Sequence, residues 1–305
     1  MPGRIIEVQA PGQHLSVQRG FLIIRQEGED KARLPLSDLD AVIIGGTGIS
    51  LTAHVVQALE EHGALLVFTG KTHHPSHLVW PLAAHHQHHL RLHTQIAASG
   101  PLKKRLWQQV VQAKIRHQGQ VLETLTGKDE GLQAFVRHVQ SGDPDNKEAQ
   151  AARRYWKPLL GTDFKRDPDG DEVNSLLNYG YAVIRAGMAR AVAACGLHPA
   201  LGIHHANQFN PFCLVDDLME PFRPAVDYKV HALVQRGDTA LTPESKRELV
   251  DVFYSDLKTA DGASPLTTCM QKLAQSYMAS LEAGKPSLVF PLEITPLAQD
   301  LLPTF

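Results

Sequence analysis

The sequence predicts an α+β chain of two domains: a β-rich N-terminal domain with one helix over residues 1–80, and an all-α domain over residues 81–305. Three observations carry this expectation. Short β-branched runs bounded by turn residues recur through the first eighty positions. After Trp80-Pro81 those runs stop, and apolar residues return at helical spacing. A length of 305 residues suits about two domains of ordinary size.

In chain order, "RIIEVQ" and "FLIIRQ" read as strands, with the turn-rich "APGQH" between them. "DAVIIGG" and "ALLVFTG" are apolar runs of buried-strand length that end on glycine. Between these two, "SLTAHVVQALEEHG" predicts a helix with Ser50 as N-cap and Gly63 at its C-terminal end. The "GGTG" of Gly45–Gly48 fits neither GxGxxG nor GxxxxGK[ST] and reads as a tight turn. In the second domain, "LWQQVVQAKIRHQGQVLETL" has apolar residues at 106, 107, 110, 111 and 115, which is helical spacing. "EVNSLLNYGYAVIRAGMARAVAACG" predicts a long helix capped near Asn174 and stopped at Gly196. Its small residues Gly180, Ala186, Gly187 and Ala193 leave room for another helix to approach. "TPESKRELVDVFYSDL" opens another helix on Thr242-x-x-Ser245, and the polar segment 161–172 reads as a loop.

Composition narrows the function classes. With 43% hydrophobic and 20% charged residues the chain has an ordinary globular balance. It has no run of about 18 apolar residues, so no membrane span is expected. "MPGRIIEVQAPG" lacks a secretory core, and Cys195, Cys213 and Cys269 form no CxxC pair. Both features point to a reducing cytoplasm. A net charge of −2 neither announces nor excludes a nucleic-acid partner, because phosphate is read by local patches. Such clusters occur at Lys103-Lys104-Arg105, Arg153-Arg154 and Lys165-Arg166, and each reads as a solvated helix face or a phosphate contact.

The stretch "HHANQFNPFCLVDDLMEPFRP", His204 to Pro224, concentrates imidazoles and carboxylates. Carboxylates suit Mg²⁺ or Mn²⁺, and an imidazole-dominated set suits Zn²⁺. On a helix, Asp217 and Glu220 share a face about 5–6 Å apart. The competing reading makes Asp216 or Asp217 an N-cap and Glu220 a partner of the helix dipole. Glu148, in "DPDNKEAQAARRYW", offers a further ligand, while Asp145-x-x-Glu148 also matches a capping box.

"KEAQAARRYW", "NSLLNYGYAVIRAGMARAV" and "LGIHHANQFNPFCLVDDLMEPFRP" occur in that order. Together with "LPLSDLDAVIIGG", "ISLTAHVVQALEEHGALLVFTG" and "WPLAAHHQHHLRLHTQI", they resemble the CRISPR-associated integrase family of spacer acquisition over nearly the whole chain. Among its members the chain most resembles the short ones that accompany single-protein effector nucleases. The resemblance implies a metal-dependent DNA endonuclease and integrase that inserts foreign DNA into a CRISPR array. Glu148, His205 and Glu220 would be its catalytic residues and ligands of one Mg²⁺ or Mn²⁺ ion. Asp217 would support them, and His204 is the alternative ligand. Lys103, Lys104, Arg105, Arg153 and Arg154 would contact DNA. As partners it implies double-stranded and branched DNA, a second copy in a homodimer, CRISPR-associated protein two, and the effector nuclease.

Two other readings stay open at this level. One is a non-catalytic DNA-binding scaffold. The other is a metal-binding protein built on the histidine-rich segment, where eight of the seventeen histidines lie between His73 and His93. There His85/His89 and His89/His93 are spaced i,i+4, which places imidazoles on one helical face. As alternatives, those histidines are an exposed polar helix or a DNA contact.

Overall fold

The computed structural model describes residues 4–69, 75–79 and 86–297. The chain divides into two compact units, residues 1–88 and 89–305. The expected domain boundary at 80/81 falls among residues outside those described, as do His73, His74 and His85.

In the first unit, β1 (Arg4–Val8), β2 (His14–Gln18), β3 (Phe21–Gln26), β4 (Glu29–Pro35), β5 (Leu39–Ile44), β6 (Ser50–Leu51), α1 (Ala53–Glu61), β7 (Leu65–Thr69) and β8 (Pro75–Val79) follow in order. They build two four-stranded sheets. One has the order β1-β5-β7-β8, with β8 antiparallel to the parallel strands β1, β5 and β7. The other has the order β4-β3-β2-β6. Its hairpins close on Arg19-Gly20 and Glu27-Gly28, each a pair with positive φ, as a tight right-twisted hairpin requires. Strand β5, "LDAVII", is buried along its whole length. Its Val42 and Ile44 join Leu15, Leu22, Val55 and Leu66 in a single core shared by both sheets and α1.

The sequence signals mark four of these eight strands and miss β2, β4, β6 and β8. Strand β4, "EDKARLP", is mostly polar and half-exposed, so it lacks the apolar alternation that marks a strand. Ser50 is not a cap: it lies in β6, paired with His14, and α1 begins after Thr52.

The second unit is helical: α2 (His88–Ala97), α3 (Gly100–Thr126), α4 (Leu132–Phe135), α5 (Lys147–Leu160), α6 (Val173–Ala194), α7 (Cys213–Met219), α8 (Arg223–Gln235), α9 (Pro243–Val250) and α10 (Leu266–Ala283). One β element joins them, the hairpin β9 (Asp256–Thr259) and β10 (Gly262–Pro265), which the all-α expectation did not include.

Helix α3 is the spine. Ser99 caps it through Leu102 N, with Pro101 in the first turn, and Gly127 at φ 78° ends it. Its stripe of Leu106, Trp107, Val110, Val111 and Ile115 is buried against neighbouring helices, worth about 1.5–3 kcal/mol for each large side chain. On another face, Gln109, His117 and Gln120 hold the extended chain of residues 286–294 through its backbone. Helix α6 shows why small residues recur along it. A Cβ on Gly180 would stand 2.3 Å from Val226 Cγ1, and one on Gly187 would stand 2.3 Å from the Phe253 ring. Asn174 is its second residue rather than its cap. Its amide instead ties the loop 161–172 down at Lys165, Arg166 and Asp167. Thr242 and Ser245 form the reciprocal cap expected of α9. Among the described residues no helix is long and apolar enough to cross a membrane.

Candidate active site

Three pieces of chain meet around the middle of α3: the start of α5, the loop 202–212, and the run from α7 through the 3₁₀ turn Glu220–Phe222 into α8.

Helix α5 presents Glu148. The residue sits in the first turn, but the cap is one position later than the capping-box reading placed it. Asn146 at φ 51° is the N-cap and accepts from Ala149 N at 3.1 Å. Asp143 takes the amides of Lys147 and Glu148 at 2.8 and 3.0 Å. The Glu148 carboxylate is therefore released from capping. It reaches Lys114 of α3 instead, with Oε1 at 2.5 Å from Nζ. The same Nζ lies 2.5 Å from Glu220 Oε2. Glu220 Oε1 in turn stands 2.8 Å from Arg223 Nε, an ion contact whose N–H is not aimed along a hydrogen bond. Two carboxylates thus face two cations, and the group is largely buried, with side-chain exposures of 13% for Lys114 and 8% for Glu220. Burial alone would raise the Glu220 carboxyl. Arg223 and Lys114 outweigh it and hold the group ionised, below the ordinary carboxylate range. Burial would likewise lower Lys114, and Glu220 and Glu148 reverse that.

The histidine loop is organised by Asp217, which is fully buried. Its Oδ2 accepts the amides of Ile203 (2.6 Å) and His204 (2.9 Å). Its Oδ1 accepts the amide of His205 at 3.4 Å and the His205 ring at Nδ1, 2.5 Å away. A carboxylate only accepts, so Nδ1 carries the hydrogen, and the neutral ring keeps its lone pair on Nε2. The hydrogen bond to Asp217, with smaller contributions from Glu220 and Glu148, raises the His205 pKa above its ordinary value. His204 takes another course. Its ring lies flat on buried Trp107, centroids 4.4 Å apart and planes 5° apart. Gly202 makes the turn possible: a Cβ there would stand 2.3 Å from the His205 carbonyl oxygen.

Neither Asp216 nor Asp217 is an N-cap, since α7 starts after Phe212. Nor is Asp216 a solvated residue: it forms a two-pronged pair with Arg185 at 2.6 and 2.9 Å and accepts from Asn210. Behind Glu220 and Arg223 the side chain of Asp227 is buried and accepts from the hydroxyls of Tyr155 and Tyr181 at 3.0 and 2.5 Å.

The predicted basic residues are placed elsewhere. Arg153 and Arg154 are exposed on α5, about 140° and 240° around the helix from Glu148, so neither shares its face. Arg154 instead sits over the Phe135 ring. Lys103, Lys104 and Arg105 lie near the start of α3, about 15 Å along the axis from Lys114. On α2, His89 and His93 contact each other, with Nε2 atoms 3.2 Å apart. Among the described residues no three His, Cys, Asp or Glu side chains stand placed to hold a metal ion.

Lys114 is the residue the sequence reading missed. Its signal was present: 107, 110, 111 and 114 are one helical stripe, and a lysine in a buried stripe demands a partner.

The comparisons with known proteins agree with this architecture. The family model of CRISPR-associated protein Cas1 matches residues 6–248. The CRISPR-associated endonuclease Cas1 of Neisseria meningitidis serogroup C (strain 8013) is 37% identical over 305 residues, covering 98% of this chain and 99% of the relative. Among solved structures, a casposase bound to integration product superposes with a TM-score of 0.80 at 20% identity, covering 96% of each chain. A Cas6-RT-Cas1–Cas2 complex gives 0.75 at 19% identity, covering 95% of this chain and 36% of that one. By these matches the chain belongs to the CRISPR-associated Cas1 family, the endonucleases and integrases of spacer acquisition.

Proposed function

We propose that the chain carries out DNA strand transfer and phosphodiester cleavage at the Glu148–His205–Glu220 cluster, with Mg²⁺ or Mn²⁺ as its cofactor. The single observation that carries this is the sharing of one cation by Glu148 and Glu220. Lys114 Nζ is 2.5 Å from both, so two acids 72 residues apart already serve one positive centre. The donor set fits a hard divalent ion: two carboxylate oxygens and one imidazole nitrogen whose ring is oriented by a third carboxylate, Asp217. Held by Glu148, His205 and Glu220, a divalent ion would supply Lewis acidity for the attacking hydroxyl and offset charge on phosphoryl oxygens.

The chain's own residues supply the rest. Asp217 fixes the His205 ring so that Nε2 is the available nitrogen. Stacking on Trp107 occupies the His204 ring, which supports His205 rather than His204 as the ligand. Arg223 balances Glu220 and keeps it ionised. The substrates are double-stranded and branched DNA, and a DNA 3′-hydroxyl displaces the 3′-oxygen of a phosphodiester. Lys103, Lys104, Arg105, Arg153 and Arg154 are exposed or half-exposed cations that can meet the phosphate backbone outside the cluster. The working assembly is a homodimer joined by CRISPR-associated protein two, with the effector nuclease as a further partner. A structural relative that is itself a Cas1–Cas2 complex supports the second of these.

The test is strand transfer of a short duplex into a repeat-bearing plasmid, with Mg²⁺ or Mn²⁺, with and without the small partner. Wild-type protein joins the DNA and Glu148→Ala does not. Undiminished joining by Glu148→Ala contradicts the assignment.

A further inference from the structure

The Lys114 ammonium reaches both acids at once. Its two contacts are short and charge-assisted, and its side chain is 13% exposed. Together with Arg223 it sets two cations against the carboxylates of Glu148 and Glu220. A divalent ion added between the same two carboxylates meets two resident cations already there, and the repulsion is relieved when one of them withdraws. Arg223 has a further contact. Its guanidinium lies over the Tyr181 ring, 4.5 Å from the centroid, as well as beside Glu220. Among the described residues Lys114 hydrogen-bonds to the two acids alone, and it ends a flexible four-carbon stem. Its backbone is fixed in the buried stripe of α3, so the ammonium can leave without any helix moving.

We infer that Lys114 is a resident cation that holds Glu148 and Glu220 at single-ion distance and is displaced by the divalent metal, so that it sets the metal affinity of the site. The inference rests on the metal-binding reading of the two carboxylates. It assigns the lysine two opposed effects. The ammonium keeps two buried acids from repelling each other when no metal is bound. It also charges the incoming ion for its own removal.

The experiment titrates Mn²⁺ alone, by calorimetry at fixed pH and ionic strength, into the full chain and three variants: Lys114→Met, Lys114→Gln and Glu148→Gln. Lys114→Met and Lys114→Gln are expected to bind Mn²⁺ at least about tenfold more tightly than wild type, about 1.4 kcal/mol. In EDTA both melt below wild type, and Mn²⁺ raises their melting temperatures by more than it raises that of wild type. A purely structural lysine predicts the lower melting temperature without the gain in affinity. A folded Lys114→Met or Lys114→Gln with unchanged or weaker Mn²⁺ affinity overturns the inference while leaving the carboxylate site standing. Unchanged Mn²⁺ binding by Glu148→Gln overturns the site and the inference together. The wild-type chain gives a second readout. With ¹⁵N-labelled lysine, the Lys114 ammonium resonance is expected to lose its protection from exchange as Mg²⁺ saturates the protein. A resonance unmoved at saturation counts against displacement.

Discussion

Two pairs of histidines in the helical unit have opposite fates. His204 and His205 lie in a loop built around one buried acid, and each ring has a fixed partner: Trp107 for the first, Asp217 for the second. His89 and His93 lie on exposed turns of α2 and touch each other. The lesson is that imidazole density does not make a site. What makes one is a carboxylate behind the ring, which fixes the tautomer and the orientation and raises the basicity of the remaining nitrogen. At His89 and His93, within the histidine-rich segment, the ring contact is to the other imidazole.

The largest expected effect comes from removing a member of the organised cluster. Glu148→Ala or His205→Ala should lower strand transfer on the order of a thousandfold, the upper end for loss of one preorganised electrostatic contact, measured in single-turnover joining assays. Next is Asp217→Asn, which keeps the shape but weakens the hold on His205. Metal affinity should fall about 10–100-fold by calorimetry. The pH profile should move as well. Asp217 raises the His205 pKa, so in wild type the imidazolium persists to higher pH than for an ordinary histidine, and a protonated ring has no lone pair for a metal. Metal binding in wild type is therefore expected to weaken, as pH falls, sooner than for an ordinary histidine ligand, and Asp217→Asn is expected to shift that limb downward. The same shift has the opposite sign for stability. A raised histidine pKa stabilises the fold below its unfolded value, and that contribution is lost as pH rises through the native value.

A smaller effect is expected from Gly202→Ala, which forces a methyl group toward the His205 carbonyl oxygen and to 3.0 Å from Asp217 Oδ2. Thermal unfolding should show a loss of about 1–3 kcal/mol, as overpacking of a tight site does. The smallest belongs to the other pair. His89→Ala with His93→Ala should change stability by no more than about 0.5 kcal/mol and leave Mn²⁺ affinity within twofold. A larger loss of metal binding there would break the contrast between the two regions.

Much of this was legible in the sequence. The two-part organisation, the long helices and the ordered motifs around Glu148, His205 and Glu220 follow from periodicity and from family resemblance. The cap of α5 was legible only to within a residue, because Asp143, Asp145 and Asn146 all bear short acceptor side chains. Only the backbone, with Asn146 at φ 51°, decides among them. Asp217 could be seen as a supporting acid, but not that it gathers three amides and a ring, since that depends on how the loop 202–205 folds back. Lys114 lies 34 residues from Glu148 and 106 from Glu220, and no local pattern joins them. Its apolar surroundings on α3 were the only hint.

Glu148, His205 and Glu220 are proposed to share one divalent ion. Anomalous diffraction from crystals soaked in Mn²⁺ tests it most directly. The expected result is a single strong peak bounded by the two carboxylates and His205 Nε2, with the Lys114 ammonium withdrawn. A peak at His89 and His93, or none beside a Lys114 still seated between Glu148 and Glu220, would contradict it.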